Sequence, residues 1–109
     1  MAHALSLLSR APAWVSDDAE WASALHALSA PALRGKDIEQ YIDFERQTIA
    51  FAQMLQDAAS WSHGQLLLVA LACELFNGEG PGVSVRDLCV TLDEPNFSHA
   101  IGAMQRRRG

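Results

Sequence analysis

Ser62-His63-Gly64-Gln65-Leu66-Leu67-Leu68-Val69-Ala70-Leu71-Ala72-Cys73-Glu74-Leu75-Phe76-Asn77-Gly78 is the stretch on which the fold turns. Serine three residues before glutamine has the form of a capping box. The hydroxyl takes the Gln65 amide, and the Gln65 side chain reaches back to the serine amide. Trp61 before the cap and Leu66 after it have the spacing of a hydrophobic staple. From Leu66 to Phe76 every residue except Glu74 is apolar. A helix apolar on all sides has no face for water, so it belongs at the centre of a domain. Asn77-Gly78 supplies a left-handed stop. The spacing predicts a buried central helix over 65–77, followed by the loop Glu79-Gly80-Pro81-Gly82.

Downstream, Ser84-Val85-Arg86-Asp87 repeats the capping logic, with Val83 and Leu88 as its staple. A short helix is expected over 85–92. Asp93-Glu94-Pro95-Asn96 is turn chemistry. Asn96 is expected to cap a last helix over 97–108, with Phe97, Ile101 and Met104 inward and Ser98, His99, Gly102 and Gln105 outward.

Upstream, Gly35 precedes what reads as the longest helix, 36–60. Ile38, Ile42, Ile49 and Ala52 make one stripe, and Tyr41, Phe44, Thr48, Phe51 and Leu55 its neighbour. So broad an apolar face calls for two neighbours, or for a neighbour and a second subunit. Before it, Asp17 and Glu20 mark a helix start with Asp17 as cap. Trp21, Leu25 and Leu28 then form one face, and Pro31 closes the helix. Residues 1–13 form a short helix or an arm, interrupted by Pro12.

Composition agrees with this pattern. The 109 residues suit one domain, read as residues 1–109 with a possible arm at 1–13. Half are hydrophobic and 19% charged, which excludes wholesale disorder. Alanine occurs 18 times, whereas Val, Ile and Thr together number 11. That balance favours helix, because β-branched side chains lose χ1 freedom there. The expected fold class is all-α, a single compact domain of five to six helices. The longest apolar run, Leu66 to Cys73, has eight residues, well short of the roughly 20 that span a bilayer. No basic leader precedes the first apolar stretch, and two cysteines are too few for a disulfide framework. A cytoplasmic protein with free thiols is expected, without membrane contact. Low lysine with high alanine and arginine suggests a GC-rich bacterial genome.

Net charge is −5, composed of −6 before Val83 and +1 from there on. The molecule as a whole should repel nucleic acid and anionic membranes. Only Arg106-Arg107-Arg108 is strongly basic.

Catalytic and metal-binding patterns are weak. Histidines at 3, 26, 63 and 99 and cysteines at 73 and 89 make no local pair with ligand spacing, so neither a metal nor a cofactor is expected. Cys73 and Cys89 read as small core residues. Gly78, Gly80 and Gly82 alternate as a phosphate cradle would, but Pro81 lacks the needed amide and Glu79 opposes an anion. The carboxylates Asp17, Asp18 and Glu20, and Asp43 with Glu45, read as helix caps and solvated faces rather than acid–base pairs. No enzyme is expected.

What remains is the order of helices from 65 to 109. It resembles the three-helix core of helix-turn-helix and winged-helix domains. The matching stretch is Val83-Ser84-Val85-Arg86-Asp87-Leu88-Cys89-Val90-Thr91-Leu92, with Leu88 and Leu92 facing the core and Cys89 at the small position. The turn after Leu92 is about two residues shorter than the family's usual one. Glu94 stands where an apolar turn residue is common, and no wing is expected after Gly109. The resemblance implies a DNA-binding, transcriptional-regulator-like protein. Ser98, His99, Gly102 and Gln105 would reach bases or sugar, Arg86, Arg106, Arg107 and Arg108 phosphate, and Asn96 would present its cap end to a phosphate. The 36–60 helix would then join two copies as a homodimer. The alternative is a helical protein–protein interaction module, an adaptor or inhibitor, with no nucleic acid. Its contact would be the acidic 36–59 helix or an exposed Trp14/Trp21 patch. The two readings differ in what must be exposed. The first needs Ser98, His99 and Arg106–Arg108 on one open face. The second needs apolar surface elsewhere.

Overall fold

The Ser62 hydroxyl accepts the Gln65 amide at 3.2 Å, and Gln65 Oε1 accepts the Ser62 amide at 3.1 Å. This capping box opens the central helix of a computed structural model that describes residues 7–109. Residues 1–6, which include His3 and the start of the expected arm, lie outside the described residues. The element order is α1 (Leu7–Arg10), α2 (Ala19–Leu28), β1 (Ile42–Asp43), β2 (Thr48–Ile49), α3 (Phe51–Ala58), α4 (His63–Asn77), α5 (Val85–Thr91) and α6 (Glu94–Arg107). Three short 3-10 segments fill the gaps between α1, α2 and β1. The domain is all-α apart from a two-residue hairpin.

α4 is buried continuously from Leu67 to Cys73, and Gly78 ends it in the left-handed region at φ 72°, donating to Glu74 O. It is not alone at the centre. α2 buries Trp21, Ala22, Ser23, Ala24, Leu25, Ala27 and Leu28 and packs against both α4 and α6. The expected single stripe on α2 is therefore too narrow. Its many small residues let two helices approach from different sides. On α6 the meeting face is also small, with Ala100 and Ala103 fully buried. The α2 cap is Asp18 rather than Asp17; its carboxylate accepts the Glu20 and Trp21 amides.

The largest correction falls on 36–60, which is not one helix. Ile38–Tyr41 is a 3-10 turn, Ile42 pairs with Ile49 and Asp43 with Thr48, and only Phe51–Ala58 is α-helical. Asp43 Oδ1 accepts the Arg46 amide at 3.0 Å, and Gln47 takes φ 56°. A side-chain turn and one left-handed residue thus reverse the chain without glycine. The expected dimer surface, and the acidic 36–59 helix, lose the helix that would carry them.

Aromatic side chains hold the hairpin down. Trp21 meets Trp14 edge-on at 5.1 Å, Phe76 edge-on at 5.5 Å and Phe44 of the hairpin turn at 5.8 Å. Trp21 is buried at 4% exposure, so there is no open Trp14/Trp21 patch. Tyr41 Oη donates to Asp57 Oδ2 at 2.6 Å, tying the 3-10 turn to α3. That bond, with burial and the negative charges of Asp57 and Asp37 behind it, pushes the Tyr41 phenol up to about 12.

The segment between α2 and β1 is pinned through the backbone of one residue. The Ala32 amide donates to Asn96 Oδ1 and the Ala32 carbonyl accepts Gln65 Nε2, both at 2.9 Å. Lys36 Nζ lies 4.7 Å from the centre of the Trp61 ring, a cation–π contact on the same segment. Among the described residues every buried side-chain nitrogen and oxygen has a hydrogen-bond partner.

Candidate functional site

The sequence places its candidate residues on α5 and α6, and the helix boundaries decide which of them are available. α6 begins at Glu94, three residues before the expected start, with Asp93 as its cap. Pro95 suits the first turn, where its missing N–H costs nothing. Asn96 is therefore inside the helix. It is 8% exposed, donates from Nδ2 to Asp93 Oδ1 at 2.6 Å and accepts the Ala32 amide. An Asn96 so engaged has no cap end to offer a phosphate.

The packed face of α6 is also rotated from the expected one. Its buried residues are Asn96, Ala100 and Ala103. Ile101, expected inward, is 38% exposed, while Phe97 and Met104 are half-buried at the flank. The open side carries Glu94, Ser98, Ile101, Gln105 and Arg108. These recur at three- and four-residue spacing, as one helical face must.

His99 and Gly102, expected outward, face α2. The His99 ring lies 4.9 Å from the His26 ring at an interplanar angle of 34°. Gly102 is necessary there, because a Cβ would stand 2.6 Å from His26 Nε2. Arg106 Nε donates to His26 Nδ1 at 2.9 Å. Burial lowers the His26 pKa to about 4, with the nearby charges of His99 and Arg106 adding to the effect. His26 is thus a neutral acceptor for Arg106 at neutral pH. Arg107 turns another way. Its Nε donates to Leu75 O at 2.7 Å and its Nη2 lies 3.6 Å from Glu20 Oε2.

All three terminal arginines are exposed, but only Arg108 continues the stripe of Glu94, Ser98, Ile101 and Gln105. Arg86 is exposed on α5. Among the described residues Ser98, Gln105, Arg86 and Arg108 are therefore the exposed candidates with no hydrogen bond or ion pair to another element, while Arg106 and Arg107 are exposed but engaged. Asn96, His99, Arg106 and Arg107 each contact another part of the fold.

The same region exposes apolar side chains. Val85 is 75% and Val90 69% exposed, both on α5, with Arg86 and Cys89 beside them. Cys89, expected in the core, is on the surface, whereas Cys73 is buried. Burial pushes the Cys73 thiol up, reinforced by Glu74 and Glu79. Leu88 is the buried anchor of α5. Val85 and Val90 carry no sequence signal that separates an exposed valine from a packed one. Sequence reasoning passed over His26 because no neighbour in sequence marks it. The small residues Ala100, Gly102 and Ala103 were the available sign of the close α6 face.

Among the described residues no helix is long and apolar enough to cross a membrane, and no group of three or more His, Cys, Asp or Glu is placed to hold a metal ion. Comparison of the chain with protein-family models, curated proteins and solved structures returns no match.

Proposed function

We propose that this protein is a non-enzymatic protein-binding module whose contact surface is the solvent side of α5 and α6. The observation that carries the reading is the exposure of Val85 and Val90 on one short helix, with Ile101 exposed on the next. Exposed aliphatic side chains on adjoining elements are what a partner surface can cover. Burying each would contribute about 1.5–3 kcal/mol by transfer from water. Arg86 and Arg108 lie on the same two helices and suit an acidic rim on the partner.

DNA binding is the second reading. The helix-turn-helix resemblance favours it, as does the exposure of Arg86, Ser98, Gln105 and Arg108. It is the weaker one because Arg106 and Arg107 are engaged with His26, Leu75 and Glu20. A net charge of −5 also works against phosphate contact.

The test compares the wild type with Val85→Asp/Val90→Asp. Proteins retained by the immobilised wild type are purified and titrated against both forms by calorimetry, and self-association is followed by sedimentation. A binary complex, with another protein or a second copy, weakened at least tenfold by the double variant is the expected result. The reading fails if no complex depends on these valines. DNA takes its place if a random duplex binds the wild type, weakens with salt and is lost in Arg86→Gln/Arg108→Gln.

A further inference from the structure

A pocket of about 310 Å³ opens where α1, the 3-10 turn Ala13–Asp17 and α2 meet α6. Leu8, Ser9, Ser16, His26, Ser29, His99 and Arg106 line it, with Ser9 already partnered. It lies apart from Val85 and Val90, and nothing in the protein-binding proposal depends on it.

Its chemistry is one-sided. Two imidazoles and a guanidinium converge, and no carboxylate is in the lining, although the chain carries 13 acidic residues against eight Lys and Arg. Among the described residues three of the seven arginines are ion-paired, and Arg106, like Arg34, Arg86 and Arg108, is not. Arg10 pairs with Glu39, Arg46 with Asp43 and Arg107 with Glu20. Among the described residues Arg106 has no acidic partner within ion-pair distance, and only its Nε is spent, on His26. The terminal nitrogens, with four N–H groups, remain for a ligand. His26 fixes the guanidinium from behind, and the His99 ring lies beside that imidazole, tilted by 34°. Not every polar group is free. Ser29 Oγ donates to Leu25 O and accepts the Leu7 amide, so it shapes the wall. Ser16 Oγ donates to Ala13 O at an exposed position, a bond that water or a ligand can exchange.

We propose that this pocket binds a phosphate group, with Arg106 and His99 as its direct ligands, Ser16 as an auxiliary donor and His26 as a positioning residue. A guanidinium fork and an imidazole match the several acceptor oxygens of a tetrahedral anion. The volume is at the lower end of small-molecule sites and exceeds what a bare ion fills. A phosphate carried on a small organic body, packed toward Leu8, fits better than the free ion.

The test is an NMR titration of the full chain, reading the side-chain signals of Arg106 Nε, His26 and His99. The probes are inorganic phosphate, glycerol phosphate as a small phosphomonoester, and acetate and sodium chloride at matched ionic strength. Saturable shifts with both phosphates, at lower concentration for the ester, are expected, with flat responses to acetate and chloride. Saturation by inorganic phosphate alone would overturn the organic-ligand part. Equal shifts with chloride or acetate, or none with phosphate, would overturn the site. Arg106→Gln should weaken phosphate binding at least tenfold and Arg108→Gln should leave it unchanged. Among the described residues His99→Ala breaks no hydrogen bond, so it tests the site even if Arg106→Gln proves unstable. Unaltered binding in His99→Ala would remove it as a ligand.

Discussion

At Gly102 one added carbon would sit 2.6 Å from His26 Nε2 and 3.3 Å from Cε1. The ring has little room to yield, since Arg106 holds one edge and His99 one face. Gly102→Ala is expected to lower stability by about 1–3 kcal/mol, the usual cost of forcing a methyl into a packed contact. Urea unfolding measures it, and a shifted His26 ring signal identifies the cause. His26 also gives a pH signature. Its ordinary value is 6.5 and its folded value about 4, so between those limits the unfolded chain binds more protons. The contribution is complete above pH 6.5 and falls away as the pH drops toward 4. The ring is partly reached by solvent, so the loss is about 1–2 kcal/mol, less than the full shift would give. The groups facing the ring are His99 and Arg106. His26→Asn keeps an acceptor near Nδ1 without titrating there. Its stability should therefore decline less than that of the wild type between pH 6.5 and 4.5. Equal declines would assign the effect to other groups.

At the scale of the elements, the hairpin β1–β2 carries its own strain. Gln47 is the one non-glycine residue with positive φ among the described residues, at 56°. A side chain there costs about 1–2 kcal/mol, and glycine gives back part of the gain as chain entropy. Gln47→Gly should stabilise by up to about 1 kcal/mol, read as a higher urea midpoint with an unchanged m-value. The same hairpin marks where sequence stops being legible. In α4 the cap, the staple, the apolar run and the glycine stop all name one structure, and the helix found there agrees. Across 36–60 the apolar residues fit a helical stripe, while the turn is made by Asp43, a turn former that also suits a helix surface, and by a left-handed glutamine, which is no usual turn signal. Four of the 11 Val, Ile and Thr residues do fall between Ile38 and Ile49, which was the local hint of extended chain. On α6 the failure was rotational. Large side chains were assigned inward, yet α2 comes so close that alanine and glycine occupy the contact and Ile101 is left outside. Two candidate ligands changed sides as a result, His99 and Gly102, because helix phase depends on the partner's distance, which sequence does not print.

For the molecule as a whole, the basic end of the chain works as a clasp. Arg107 reaches from α6 to the Leu75 carbonyl in the last turn of α4 and to Glu20 in the first turn of α2. A cation at a helix C-terminus and an acid at a helix N-terminus are each favourably placed in the helix dipoles, so the clasp is favourable at both contacts. Arg106 adds the bond to His26 on α2, and Arg108 adds nothing beyond its exposed charge. Replacing all three by alanine is thus expected to destabilise the fold by about 1–3 kcal/mol, since charge-assisted bonds are lost at two positions. Arg108→Ala alone should stay within about 0.5 kcal/mol of the wild type, as surface changes usually do. The difference matters for function. A triple variant that fails to bind DNA would have lost part of its fold along with its charge, so Arg86 and Arg108, which hold nothing together, are the informative positions. Parallel urea curves for Arg107→Ala, Arg108→Ala and the triple variant decide it. If Arg107→Ala and Arg108→Ala prove equally neutral, the contacts at Leu75 and Glu20 contribute nothing measurable, and the basic segment is again free to serve as a nucleic-acid contact.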